Sequence, residues 1–137
     1  MTAAPMAVWF LPPADRLTMN QRHHWTVQRR LTRAWRAAAR WAAVNQLGLS
    51  PSDRRRPACM VRVTFPVFGR LRRDPHNCAP TVKAIVDGLV DADVWPDDTD
   101  RWVIVLDPVF RLVDRRGDLP TAPVHIDLIP RQKDDLP

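Results

Sequence analysis

"ACMVRVTFPVFGRLRRDPHNCAPTVKAIVDGLVDADVWPDDTDRWVIVLDPVF", residues 58–110, passes from a two-residue hydrophobic period to a helical one and back again. From Cys59 to Phe68, alternating and β-branched residues predict a strand, with Pro66 marking an edge position or a bulge. Gly69 permits the turn into Arg70, Arg72, Arg73 and Asp74. From Thr81 to Val90 the spacing is helical: Val82, Ile85, Val86, Leu89 and Val90 form a buried face. Lys83, Asp87 and Asp91 recur at four-residue intervals on the other side, where Lys83 and Asp87 make an ordinary surface pair. "DADVWPDD" ends the helix, and "RWVIVLDPVF" and "APVHIDLIP" read as two further strands. The order predicts an α/β (α+β) domain, a small mixed β-sheet packed with two main helices.

The other main helix lies upstream. "MAVWFLPPADRLTMN" reads as an edge strand through Phe10 or Leu11, stopped by Pro12 and Pro13. Thr26 then caps a helix that runs to about Leu47, with Gly48 as terminator and Pro51 beyond it. Val27, Leu31, Ala34, Trp35, Ala38, Trp41 and Ala42 form its apolar face, and Arg29, Arg33, Arg36 and Arg40 fall nearly opposite. Trp25, Trp35 and Trp41 read as core or dimer residues, and Trp95 and Trp102 as braces for the turn and the final sheet. "SPSDRRRP" is a linker or hairpin-like loop carrying a local basic patch, Arg54 to Arg56. Residues 131–137 read as a frayed tail on a single domain, 1–137.

The 137 residues carry a formal charge of +6, drawn from nineteen arginines and two lysines against fifteen aspartates and no glutamate. Residues 1–57 hold ten arginines and two aspartates, whereas the remainder is slightly acidic. An arginine fork suits phosphate oxygens, so one part of the molecule is equipped to grip a polyanion and another to hold cations, with plain solubility as the simpler explanation. Cys59 and Cys78 are too few and too far apart for a disulfide framework or a zinc module, and free thiols fit a reducing cytosol. The N-terminus has neither a basic leader nor a long apolar run, so neither secretion nor membrane insertion is expected.

Phosphodiester hydrolysis requires compensation of charge on the attacking and leaving oxygens, and divalent cations held by carboxylates provide it. Asp74 follows a strand and sits among Arg70, Arg72 and Arg73, while Asp97 and Asp98 lie where the chain turns back toward the next strand. If that strand runs beside the one ending at Phe68, the carboxylates converge at one sheet edge. Oxygen ligands favour Mg²⁺ or Mn²⁺. His76 either binds the metal, orients a water, acts as acid or base, or contacts DNA; a loop histidine with none of these jobs is the plain alternative. Asn77 caps a turn or supports the site. Lys83 either stabilises the transition state or is a solvated helix residue. Asp107, Asp114, Asp118 and Asp127 read as surface or turn residues, and no serine or cysteine triad or glycine-rich phosphate loop is present.

The order "RRDPHN", "VKAIVDGL" and "WPDD" resembles the RusA family of Holliday junction resolvases, in its divergent phage and bacterial members, and the opening "FLPPADRLTMN" is more faintly similar. The resemblance implies a homodimer that binds four-way or branched DNA and cuts opposed strands with Mg²⁺ or Mn²⁺, in the cytoplasm of a bacterium or of a phage's host. It makes Asp74 and Asp98 metal ligands, Lys83 the essential lysine, Asn77 the following asparagine and Asp87 a supporting acid, with Asp97 able to assist. His76 stands where the family usually has a second aspartate, and "CAPTV" lengthens the route from Asn77 to Lys83; a loop before the helix would absorb it, with Pro80 near the first helical turn.

On that basis the expected function is metal-dependent cleavage of a DNA phosphodiester, with Arg70, Arg72 and Arg73, and the arginines of the long helix, positioning the backbone rather than reading sequence. The alternatives are a catalytically weakened branched-DNA-binding protein and a structural or interaction protein with a basic surface.

Overall fold

The computed structural model describes residues 6–19, 24–69 and 73–131. It forms a mixed α/β fold: β1 (Met6–Phe10), α1 (Trp25–Leu47), a single turn α2 (Pro51–Arg54), β2 (Cys59–Val67), a 3₁₀ turn (Pro75–Cys78), α3 (Ala79–Asp91), β3 (Val103–Val105), β4 (Val109–Leu112), a second 3₁₀ turn (Arg116–Thr121) and β5 (Val124–Pro130). The sheet runs β1-β5-β2, with β3 and β4 both on the far side of β2. β5 is antiparallel to β1 and β2, while β3 and β4 are parallel to β2.

Alternation along the strands decides which face is covered. Val8 and Phe10 of β1, Val61, Val63 and Phe65 of β2, and Val124, Ile126 and Leu128 of β5 all point into one core, which α1 and α3 complete. Trp35 sits fully buried at its centre, edge-on to Phe10 (5.9 Å) and Phe65 (6.1 Å), and its indole N–H donates to the Asp15 carbonyl at 3.0 Å. That bond ties the loop after β1 to the core. Thr81, also buried, ties the same loop to α3 by donating its hydroxyl to the Leu17 carbonyl at 2.7 Å.

α1 begins two residues before the expected position, because His24 rather than Thr26 is the cap: its Nδ1 accepts from the Thr26 N–H at 3.3 Å. Gly48 ends the helix as expected, at φ 152°. The buried face is Leu31, Trp35, Ala39, Ala42, Ala43 and Leu47, and Trp41 is instead 64% exposed. The stripe is rotated because α1 packs on α3 through small residues: a Cβ built on Gly88 would lie 2.3 Å from the Arg36 carbonyl and 2.9 Å from Ala39 Cβ. Only a glycine lets the two helices come this close.

Two further expectations are corrected. Arg54 does not join a solvent-facing basic patch; it is buried, donating to the carbonyls of Ala92, Gly48 and Leu49, and so fastens the turn α2 to the ends of α1 and α3. "RWVIVLDPVF" is two strands, not one: between the pairs Val61–Val105 and Thr64–Val109, Leu106, Asp107 and Pro108 oppose only two residues of β2. Proline lacks the N–H that a continuous ladder needs, and the edge bulges there. Pro66 sits where β2 has lost its β5 neighbour, whose pairing ends at Thr64, so the strand is a local edge as its proline implied. The tail at 132–137 lies outside the described residues. Among the described residues no helix is long and apolar enough to cross a membrane.

Candidate active site

The parallel pairing of β2 and β3 sends the chain out of β2, through the 3₁₀ turn and α3, and back along the same sheet edge. The two ends of this crossover meet in a cleft of about 330 Å³, lined by His76, Lys83, Asp98 and Asp107 among apolar walls that include Val82, Val86 and Leu106. Local chemistry fixes each wall. Asp74 caps the 3₁₀ turn, its Oδ1 accepting from the His76 N–H at 3.0 Å, and Pro75 supplies the first position without wasting a donor. The turn runs directly into α3, whose first turn contains Pro80. The extra residues of "CAPTV" are therefore taken up by helix rather than by a loop.

Lys83 projects from the exposed side of α3 and bridges two carboxylates: its ammonium donates to Asp87 at 2.9 Å, one helical turn on, and to Asp98 across the cleft. The paired carboxylates, Asp98 first and Asp87 second, push the lysine above its ordinary pKa, and Lys83 holds Asp98 below the usual carboxylate range. The chain that leads to Asp98 is fastened upstream of it. Trp95 is fully buried and donates its indole N–H to the Pro57 carbonyl at 3.1 Å, while Asp93 takes a left-handed φ of 65° at the end of α3. Asp97 is engaged within its own loop, where its Oδ1 accepts both the N–H (2.9 Å) and the hydroxyl (2.6 Å) of Thr99, which lowers its pKa and stiffens the chain there.

The other expected residues are dispersed. Asn77 joins the site's frame through its backbone, its carbonyl accepting from the Met19 N–H at 3.0 Å. Arg73 turns away from the cleft, donating to the carbonyls of Phe68 (2.7 Å) and Gly69 (3.1 Å), and Arg70 and Arg72 lie outside the described residues. On α1, Arg29, Arg33 and Arg40 are exposed, Arg29 lying over Trp25 at 5.5 Å, whereas Arg36 clasps Asp91 through two hydrogen bonds of 2.5 Å and 2.8 Å. Asp91 therefore belongs to the helix crossing and not to the Lys83 face of α3.

Asp107 is the cleft residue that reading the sequence missed. Its signal was the Asp-Pro pair interrupting an apolar run, which marks a bulge and so a side chain re-aimed from the strand's regular alternation. Among the described residues, no three histidine, cysteine or aspartate side chains lie close enough together to hold a metal ion. Cys59 and Cys78 are buried free thiols, and burial raises the pKa of both, which suits packing rather than reactivity. No family model, curated protein or solved structure matches the chain.

Proposed function

We propose that this chain is a RusA-type endodeoxyribonuclease that works as a homodimer on four-way or branched DNA, with Mg²⁺ or Mn²⁺ as cofactor. The observation that carries the reading is the meeting of Lys83 with Asp98 in a cleft that also includes His76, which Asp74 positions by capping its turn. These are the residues on which the sequence resemblance rests.

By chemical type, Asp98 and Asp74 would offer hard oxygen ligands and His76 one imidazole nitrogen, which Mn²⁺ accepts more readily than Mg²⁺, but the three are not gathered closely enough in this structure to hold an ion. When bound, the cation supplies Lewis-acid compensation for the charge that develops on the phosphate oxygens. Lys83, exposed at the mouth of the cleft, adds a positive charge on the same phosphate. Asp87 keeps that ammonium charged and aimed. The arginines supply nonspecific attraction to the backbone.

A second reading has its own support. His76 stands where the resemblance calls for a carboxylate, and Asp98 is already neutralised by Lys83. Both features also suit a branched-DNA-binding protein with little catalysis.

The test is a cleavage panel on four-way, flap and linear duplex DNA with Mg²⁺ or Mn²⁺, using the wild type, Asp98→Asn and Lys83→Ala. Selective, symmetric nicking that both substitutions abolish supports the nuclease. Binding without nicking supports the weakened protein, and cutting that survives either substitution rejects this site.

A further inference from the structure

A second, larger cleft of about 870 Å³ has Arg73 in its wall, two residues before Pro75 of the first cleft. Trp35 and Phe65 line its inner part, and Pro12, Pro13 and Pro120 stiffen its rim by fixing their own backbone angles. Arg16, Arg30, Arg73 and Arg116 reach it, against Asp15 as the one acidic residue among those described.

The four arginines are not equivalent. Arg16 is part of the wall, its guanidinium over Phe65 (5.5 Å) and Phe110 (5.9 Å) with Nη1 donating to Cys78 Sγ at 3.7 Å. Arg73 braces the end of β2. Arg30 and Arg116 are exposed and take part in no ion pair among the described residues. Arg116 also lies 5.4 Å over Phe68, a ring that is 37% exposed at the cleft. Uncompensated forks beside an aromatic ring that water can reach match a phosphate joined to a flat base.

We propose that this cleft holds one unstacked nucleotide of a DNA strand, its phosphate on Arg30 and Arg116 and its base against Phe68. The proposal rests on the nuclease reading, because Arg73 lines this cleft and Pro75 and His76 line the other, so that one strand is to occupy both. A flap, or a branch point whose central pairs have opened, offers an unpaired nucleotide, and a continuous duplex does not. Recognition of branched DNA then begins in a site distinct from the cutting residues.

The experiment measures binding of fluorescein-labelled dT8, and of an abasic strand of the same length, by anisotropy in EDTA, with metal-dependent cutting of four-way DNA followed in parallel. Phe68→Ala is expected to weaken dT8 about tenfold while hardly changing the abasic strand. Arg30→Ala and Arg116→Ala are expected to weaken both strands, each lowering the salt dependence by about 0.7 in log–log slope. Phe68→Leu guards against a folding defect, since it keeps apolar bulk and is expected to lose dT8 affinity all the same. Unchanged dT8 binding in the Phe68 and arginine variants, with selective cutting retained by the wild type, overturns the cleft alone. Equal losses on dT8 and the abasic strand in Phe68→Ala overturn the base contact. The predicted binding differences without any cutting overturn the nuclease reading and leave a nucleotide-binding cleft.

Discussion

Lys83 of α3 and Asp98 of the loop after it, fifteen positions apart, meet in a direct ion pair at the mouth of a cleft, with Asp87 as the lysine's second partner. The pair is solvent-exposed, so it contributes little to folding, and Lys83→Ala is expected to change stability by no more than about 1 kcal/mol. Its effect on chemistry is expected to be much larger: loss of a charge aimed at the reacting phosphate costs roughly 100-fold or more in kcat. Urea unfolding and single-turnover cutting of four-way DNA, measured on the same preparation, separate the two. A stability loss that matches the activity loss makes Lys83 a structural residue.

His76 lines the same cleft from the turn that Asp74 caps. A carboxylate at this position offers Mg²⁺ a harder ligand than imidazole does. His76→Asp is therefore expected to lower the Mg²⁺ concentration needed for half-maximal cutting and to narrow the advantage of Mn²⁺. Titration of cutting rate against each metal reads this directly, and an unchanged Mg²⁺ requirement removes His76 from the metal's surroundings.

The sequence was most informative where one local rule had no competitor. Gly48 and Pro51 end α1, alternation marks β2 and β5, and four-residue spacing places Lys83 beside Asp87. It was least informative on α1, where alanines at 34, 37, 38, 39, 42 and 43 surround the helix and cannot say which side faces α3. The close approach at Gly88 settles that, and it leaves Trp41 exposed despite its place in the expected stripe. One strand running beside another led to the expectation that Asp74, Asp97 and Asp98 converge; of these only Asp98 lines the cleft, with His76 and Lys83, while Asp74 caps its turn and Asp97 bonds to Thr99. Asp107 was not anticipated, because the bulge that brings it in depends on the register of β3 and β4 against β2. Arg36 and Arg54 likewise looked like free phosphate-binding groups until tertiary partners, Asp91 and three carbonyls, claimed them.

Gly88 gives a prediction whose sign opposes intuition. In a helix interior, alanine is ordinarily favoured over glycine by about 1 kcal/mol. Here the added Cβ would meet the Arg36 carbonyl at 2.3 Å and the Arg40 nitrogen at 3.1 Å, both backbone atoms that move only with the helix. The steric term wins, and Gly88→Ala is expected to destabilise the fold by about 1–3 kcal/mol. A thermal melt reads this as a midpoint lowered by about 4 °C or more. A midpoint equal to or above the wild type's means that α1 and α3 do not pack this closely.

Just beyond Gly88, the Arg36–Asp91 clasp makes the same crossing sensitive to pH and salt. The Arg36 hydrogen bonds hold Asp91 below its ordinary pKa, so its contribution is fully present above the unfolded carboxylate's value of about 3.9 and disappears as pH falls through the lower folded value. Arg36 itself is raised above an already high pKa and stays charged throughout. Since both side chains are partly exposed, Asp91→Asn is expected to lose no more than about 1 kcal/mol at pH 7. Against the wild type in urea, that difference should shrink as pH drops below about 4, and also in about 1 M salt at neutral pH, where screening acts within about 3 Å. A difference that is independent of both pH and salt would mean that Asp91 acts through packing alone.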